Sequence, residues 1–393
     1  MAVSLVSNEV SDLCIGKPAL KSLPLSAAVV GDALFALRRS GEPHLAVLSA
    51  DRDAPDKKAV TGKLCVADVI CYLCSDGNLE SPTVALERPV SVLLSKDAGL
   101  VRRVEPQFSV LEALDLILDG AQNLVVPIGS VGRKKLHHGG GGATVEHCWL
   151  THEDFVRYFL NSIAVFSPVA TLSIDAVGLV RSAAALTVRH DEPGLALLPV
   201  LRRALSEQAA VAVVTDDGRL LGEISPLALS ACDLMAATLA AGVATLTAGD
   251  LMAFVDHYGS PPESLVRAIR AGLKEKGLQE MLELMEDVLS SFSHSSSSPS
   301  ASSSSSSSSS SDEESSGGRR PRRLRSRSFS MGRRSEEPEV CHPGNSLVAA
   351  IVQALARRVS YLWVVGEVDS SLIGIVTFAD MLRVFREQLQ PSV

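Results

Sequence analysis

Residues 372–385 read LIGIVTFADMLRVF: an apolar run of strand length that ends at Thr377 and passes directly into apolar residues at helical spacing. Gly374, Thr377 and Asp380 lie three residues apart from one another. A strand that turns into a helix at a hydroxyl, with a carboxylate three positions on, is the signature of a capped helix start. The signature returns as VTGKLCVADVICYL at 60–73 (Gly62, Cys65, Asp68) and as VEHCWLTHEDFVRYFL at 145–160 (Cys148, Thr151, Asp154). A third copy is LLGEISPLALSACDL at 220–234, with Gly222, Ser225 and Ala228. Internal repetition outranks other sequence signals, so the chain is expected to be an array of small, similar units.

Working outward from the fourth copy, SLVAAIVQALARRV from Ser346 predicts a helix and YLWVV from Tyr361 a strand. The turn-forming residues GEVDSS lead into LIGIVT, and a short strand near Val340 completes the order β-α-β-β-α. The other copies keep this order, the third with a DG turn between apolar strands. A hairpin backed by two helices cannot bury its apolar faces alone, so neighbouring units should pack as pairs. With 393 residues and 46% apolar content, several small cores are available.

The units resemble CBS domains, and GIVTFAD matches that family's most diagnostic stretch. The resemblance covers roughly residues 12–240 and 335–390 and is similar to the plant CBS-domain proteins of the CBSX group. It is more distantly similar to the γ subunit of the AMP-activated and SNF1-related kinases. It implies an α/β (α+β) fold of four CBS repeats paired into two Bateman modules, each with two clefts for adenine nucleotides or related adenosyl ligands. Expected boundaries are 12–78, 88–163 and 165–240 for repeats 1 to 3, 241–292 for a helical insertion, 293–337 for a disordered Ser/Arg-rich loop and 338–390 for repeat 4.

Thr-x-x-Asp has two readings. A hydroxyl and a carboxylate at this spacing form a capping box, which needs no ligand. A helix start also offers N–H groups and partial positive charge to a phosphate, while an aspartate can accept from ribose hydroxyls. The resemblance favours the second for Thr377 and Asp380. Thr151 and Asp154 keep the pattern, although Cys148 replaces the family's glycine and Glu153 adds negative charge. Asp68 survives in repeat 1 without a hydroxyl, and Ser225 survives in repeat 3 without a carboxylate, Ala228 standing in its place. Phosphate would also need a cation near the end of a first strand, where Arg102, Arg103, Arg189, His190 and His342 are available.

The expected ligand is AMP, ADP, ATP or another adenosyl compound, with no metal, since His137, His138, His147, Cys148 and His152 scatter over a loop, a strand and a helix start. Seven cysteines without paired CxxC motifs indicate neither a zinc ribbon nor a disulfide framework. Cys71 and Cys74 continue an apolar helical pattern and read as core. No Walker loop, nucleophile elbow or GxGxxG motif points to catalysis, so the expectation is a non-enzymatic regulator. It would sense the ligand and modulate a partner protein, a kinase or other enzyme. The alternative is a scaffold with degenerate clefts. Homo-oligomeric discs are implied by the resemblance.

The formal charge of -8 argues against general nucleic-acid affinity. The Ala-rich stretch 226–248 carries Asp233 and suits a buried helix better than a bilayer span. The first residues show neither a secretory signal nor an Arg-rich transit peptide, so a cytoplasmic or nuclear location is expected.

From Asp68 to Asp154 is 86 positions and from Asp154 to Ala228 is 74, whereas Ala228 to Asp380 spans 152. The excess lies in SPPESLVRAIRAGLKEKGLQEMLELMEDVLSSF, read as helical, and in a stretch with ten consecutive serines and RRPRRLRSRSFSMGRR. The latter composition predicts disorder. Three readings of its basic run stay open: a solvated linker, a phosphorylation-controlled docking segment with Ser326, Ser328 and Ser330 as acceptors, or a nuclear-import or nucleic-acid patch.

Overall fold

The structure is a computed structural model that describes residues 5, 8–50, 58–75, 77–94, 99–128, 146–231, 236–257, 262–295 and 337–389. Ser326, Ser328, Ser330, most of the Ser/Arg-rich stretch, and His137 and His138 lie outside the described residues.

A short helix α1 (Val10–Leu13) precedes repeat 1, which runs β1 (Ser22–Pro24), α2 (Val30–Ser40), β2 (Leu45–Ala50), β3 (Lys58–Leu64) and α3 (Val66–Leu73). After α4 (Pro82–Leu86), repeat 2 comprises β4 (Val101–Arg103), α5 (Val110–Leu118), β5 (Asn123–Ile128), β6 (Glu146–Thr151) and α6 (His152–Leu160). The short α7 (Ser167–Ala170) leads into repeat 3: β7 (Thr187–Arg189), α8 (Leu197–Glu207), β8 (Val211–Val214), β9 (Leu220–Ile224), α9 (Pro226–Ala231) and α10 (Ala236–Thr245). Next come α11 (Ala248–Asp256), α12 (Glu263–Glu275) and α13 (Gln279–Ser295). Repeat 4 closes the fold with β10 (Val340–Cys341), α14 (Leu347–Arg357), β11 (Tyr361–Val365), β12 (Leu372–Thr377) and α15 (Phe378–Gln388).

Among the described residues each repeat forms one three-stranded sheet, in the orders β1-β2-β3, β4-β5-β6, β7-β8-β9 and β10-β11-β12. The first strand pairs parallel to the second, and the third antiparallel to it. A parallel pair needs a crossover, and the first helix of each repeat supplies it. The second strands are apolar on both faces: all of Tyr361–Val365 and all of Val211–Val214 are buried.

Sheets join repeats within a module, and helices join the modules. Repeats 1 and 2 meet at β3 and β4. Repeats 3 and 4 meet through bridges from Arg181 to Ile375 and from Arg219 to Ser371. On the helical side, α3 packs on α8, α9 and α10, while α15 packs on α6 and α5. The apolar core is accordingly divided, one part drawn mainly from repeats 1 and 3 and the other from repeats 2 and 4. The pairs 1–2 and 3–4 read from sequence are kept, and the cross-module helix packing is what the pairing argument did not supply.

Four isolated bridges tie the repeat edges to flanking segments. The residue preceding each repeat's first helical turn is bridged to a flanking segment: Val29 to Pro89, Ser109 to Glu9, Pro193 to Thr247 and Ser346 to Ser173. The segment before each module therefore docks on that module's second repeat. Residues 12–14, assigned from sequence to repeat 1, pack with repeat 2, and Cys14 lies in the core of repeats 2 and 4. Thr247 bridges Pro193 as Pro89 bridges Val29, and residue 241 lies inside α10. Helix α10 is buried from Ala236 through Ala244, and no helix among the described residues is long and apolar enough to cross a membrane. The apolar stripe Val266, Ile269, Leu273 on α12 and Met281, Met285 on α13 is buried. These two helices close over α10, and α13 also meets α4. The insertion's apolar face thus covers the fold.

Candidate ligand clefts

The helix start of repeat 4 is a complete capping box. Thr377 N–H and Oγ1 both donate to Asp380 Oδ2, at 3.0 and 2.7 Å, and Asp380 N–H donates back to Thr377 Oγ1 at 3.3 Å. Asp380 is only 4% exposed. The arrangement follows from sequence: extended backbone at Thr377 aims its hydroxyl at the open N–H groups of α15. A cation not picked out by sequence reasoning completes the site. Arg181 Nε lies 2.8 Å from Asp380 Oδ1 and donates to Oδ2 at 2.9 Å, and its terminal nitrogens reach Glu207 at 3.4 Å. Arg383 adds a longer contact of 3.4 Å. The carboxylate proposed to meet ribose is already bound within the protein.

Repeat 2 repeats the device. Thr151 N–H and Oγ1 donate to Asp154 Oδ2 at 2.7 and 2.9 Å, and Lys17 Nζ sits 2.7 Å from the same oxygen. Lys17 precedes β1 as Arg181 precedes β7, so each comes from the segment ahead of its module. Backbone pairing lays both segments down: Leu20 N–H donates to His147 O, and Arg181 exchanges both backbone bonds with Ile375. A lone cation a few residues ahead of a three-residue strand gave no periodic signal.

Repeats 1 and 3 diverge. Ser225 Oγ accepts from Ala228 N–H at 3.0 Å, a cap without a carboxylate. Its neighbour Glu223 accepts instead from Tyr361 Oη and Trp363 Nε1 of repeat 4, both at 2.6 Å. In repeat 1 the matching β3 position holds Lys63, whose Nζ donates to Asn123 of repeat 2 at 2.5 Å. Asp68 accepts from Cys65 N–H at 2.7 Å. His44, Lys63 and Asp68 keep some surface, but their charged ends lie deep. Burial pushes the Lys63 ammonium down to about 8, His44 down to about 3 and the Asp68 carboxyl up. Burial, with the nearby Lys63 charge, also holds His152 down at about 4. The His152 ring is fixed by Gln208, Nδ1 to Nε2 2.9 Å, Gln208 standing at the left-handed C-cap of α8. In module 1 the Lys63 charge is therefore felt by His44, His152 and Asp68.

The basic residues proposed from sequence behave differently. Arg103 pairs with Glu105, Arg189 with Asp191 and Asp216, and His342 Nδ1 stands 3.1 Å from Val365 O. His190, Asp191 and Asp216 could converge on a cation, but Arg189 already bridges the two carboxylates. One cavity of about 100 Å³ lies in module 1, lined by residues 17–21, Glu42, His44 and Trp149. Sites for drug-sized ligands span about 300–1,000 Å³, so this cavity is smaller than such a site.

The CBS domain family model matches residues 334–387. Over 99% of each chain the sequence is 41% identical to the CBS domain-containing protein CBSX5 of Arabidopsis thaliana. CBSX6 of the same plant is 24% identical, over 99% of this chain and 95% of its own. Among solved structures, protein MJ1225 of Methanocaldococcus jannaschii, described as a candidate archaeal homologue of g-AMPK, aligns over 96% of this chain and all of its own. Its TM-score is 0.54 at 15% identity, a likeness of fold.

Proposed function

This chain belongs to the CBS-domain-containing proteins, and on that premise we propose that it is a non-enzymatic regulator whose module 1 cleft takes an adenosine nucleotide and passes its occupancy to a partner protein, a kinase or another enzyme. The observation that carries this reading is the opposite charge at the matching strand position, Lys63 in module 1 and Glu223 in module 2. In module 2 the polar groups of the cleft are engaged internally: Asp380 by Arg181, Glu223 by Tyr361 and Trp363. In module 1 the Lys63 ammonium lies within charge range of Asp68, with the neutral rings of His44 and His152 near Lys63. An ammonium held down at about 8 by burial gains from an arriving anion, because the anion restores the charge stabilisation that burial removed. Asp68 would accept from the ribose and Lys63 would hold phosphate. A nucleotide acts on a partner only through different affinity for two packings of the modules.

The scaffold reading is favoured by a separate observation, the absence of a carboxylate at Ala228 together with the Arg181 contact on Asp380. Calorimetric titration with AMP, ADP, ATP and S-adenosylmethionine separates the two. Nucleotide regulation expects binding that weakens at least tenfold in Lys63→Met and is unchanged in Arg181→Met. Absence of heat and of thermal shift with all four compounds leaves the scaffold.

A further inference from the structure

At the strand position three residues before the helix cap, three repeats carry glycine: Gly62, Gly222 and Gly374. Space explains the choice. A Cβ at Gly374 would strike the Arg181 carbonyl oxygen and lie 2.8 Å from Val180 Cγ1, because the segment ahead of module 2 passes directly over β12. Repeat 2 has Cys148 there, fully buried, and the segment ahead of module 1 brings Cys14 to it. Cys14 is 7% exposed, and the two thiols are in hydrogen-bonding contact. Both cysteines are free.

We propose that Cys14 and Cys148 are a redox pair that closes to a disulfide under peroxide, fastening the segment that carries Lys17 onto β6. The chemistry is assigned by environment. The Cys14 hydrogen bond and the Lys17 charge favour the Cys148 thiolate, while the same hydrogen bond and burial keep Cys14 protonated. The Cys148 thiolate attacks one peroxide oxygen; the O–O bond breaks, the sulfur becomes a sulfenic acid and the other oxygen leaves as water after protonation. Cys14 then attacks that sulfur, the S–O bond breaks and a second water departs. Two thiols and one hydrogen peroxide give one disulfide and two waters. Access comes through the entering segment, where α1 is a single turn of four residues and opens more readily than the core. Cys65, Cys71, Cys74 and Cys341 are as buried as this pair, but their pKa is raised whereas that of Cys148 is lowered, so thiolate character sets Cys148 apart.

The consequence is local. Cys148 lies three residues before Thr151, and Cys14 three before Lys17, so the bond would clamp Lys17 on Asp154 and hold the adjoining cavity closed. The test treats reduced full-length protein with one equivalent of hydrogen peroxide, blocks residual thiols, and maps disulfides by mass spectrometry of unreduced digests. Expected is a dominant Cys14–Cys148 peptide that dithiothreitol removes. In Cys14→Ser, dimedone should label Cys148 at least tenfold faster than any other cysteine. Circular dichroism confirms that the variant is folded, and Cys14→Ala replaces it if it is not. Oxidation that spreads over other cysteines, or a folded wild type whose Cys14 and Cys148 stay unlinked while peroxide is consumed, overturns the proposal.

Discussion

The contact between Arg181 and Asp380 joins the segment ahead of module 2 to the helix start of repeat 4, and its strength can be bounded from the geometry. Asp380 is 4% exposed and accepts from two Thr377 groups as well as from Arg181, whereas the Arg181 side chain is 40% exposed. Asp380→Ala removes a cap worth about 1 kcal/mol and a charge-assisted bond worth about 1.5–3 kcal/mol, the latter reduced because one partner is in water. The expected loss is about 2–3 kcal/mol. Arg181→Met keeps the alkyl stem but leaves a buried carboxylate on its two Thr377 bonds and the long Arg383 contact, at a cost of about 1–2 kcal/mol. The pair should therefore couple, the double variant being less damaged than the sum of the singles by about 1–2 kcal/mol. Urea unfolding of the four proteins, followed by tryptophan fluorescence and far-ultraviolet circular dichroism, measures the cycle. Coupling below about 0.5 kcal/mol would refute the reasoning, showing Asp380 to be satisfied by its cap alone and Arg181 to be an ordinary surface cation.

Two further outcomes follow from buried groups. His152 is 8% exposed and neutral in the fold, with its pKa lowered from 6.5 to about 4, so the unfolded chain binds the extra proton first. Its contribution is complete above about pH 6.5 and is lost as pH falls toward about 4, a change on the order of 3 kcal/mol. His152→Asn, which retains an acceptor for Gln208, should flatten that part of a stability-against-pH curve; an unchanged slope counts against a neutral buried ring. Gly374→Ala drives a methyl into backbone at Arg181 and should cost roughly 1–3 kcal/mol. Gly62→Ala meets only the tip of the Leu94 side chain at 3.0 Å, so thermal melting should rank it the milder, and the reverse order would contradict the close passage over β12.

How much of this was legible depends on the range of each interaction. The β-α-β-β-α order was readable because period and capping are local: Thr377 and Asp380 are three residues apart and form the box that their spacing predicts. The partner of that box was not readable. Arg181 is 199 residues away and Lys17 is 137 residues from Asp154, and neither sits on a periodic segment. The cations that sequence suggested, Arg103 and Arg189, each pair with an acid two residues on, and Arg189 also with Asp216 in the β8–β9 turn. Lys63 was hidden for another reason: on a strand, one polar residue among apolar ones reads as a solvent-facing position. Pairing of sheets turned that position toward Asn123 in the next repeat. The equivalent place in repeat 3 holds Glu223, facing Tyr361 and Trp363. One position thus carries opposite charge in the two modules, with a donor pair built to meet the acid and an amide to meet the base. The repeats share a fold because their apolar pattern is common, and they differ in cleft chemistry because the inter-sheet residues are free to change sign without disturbing it.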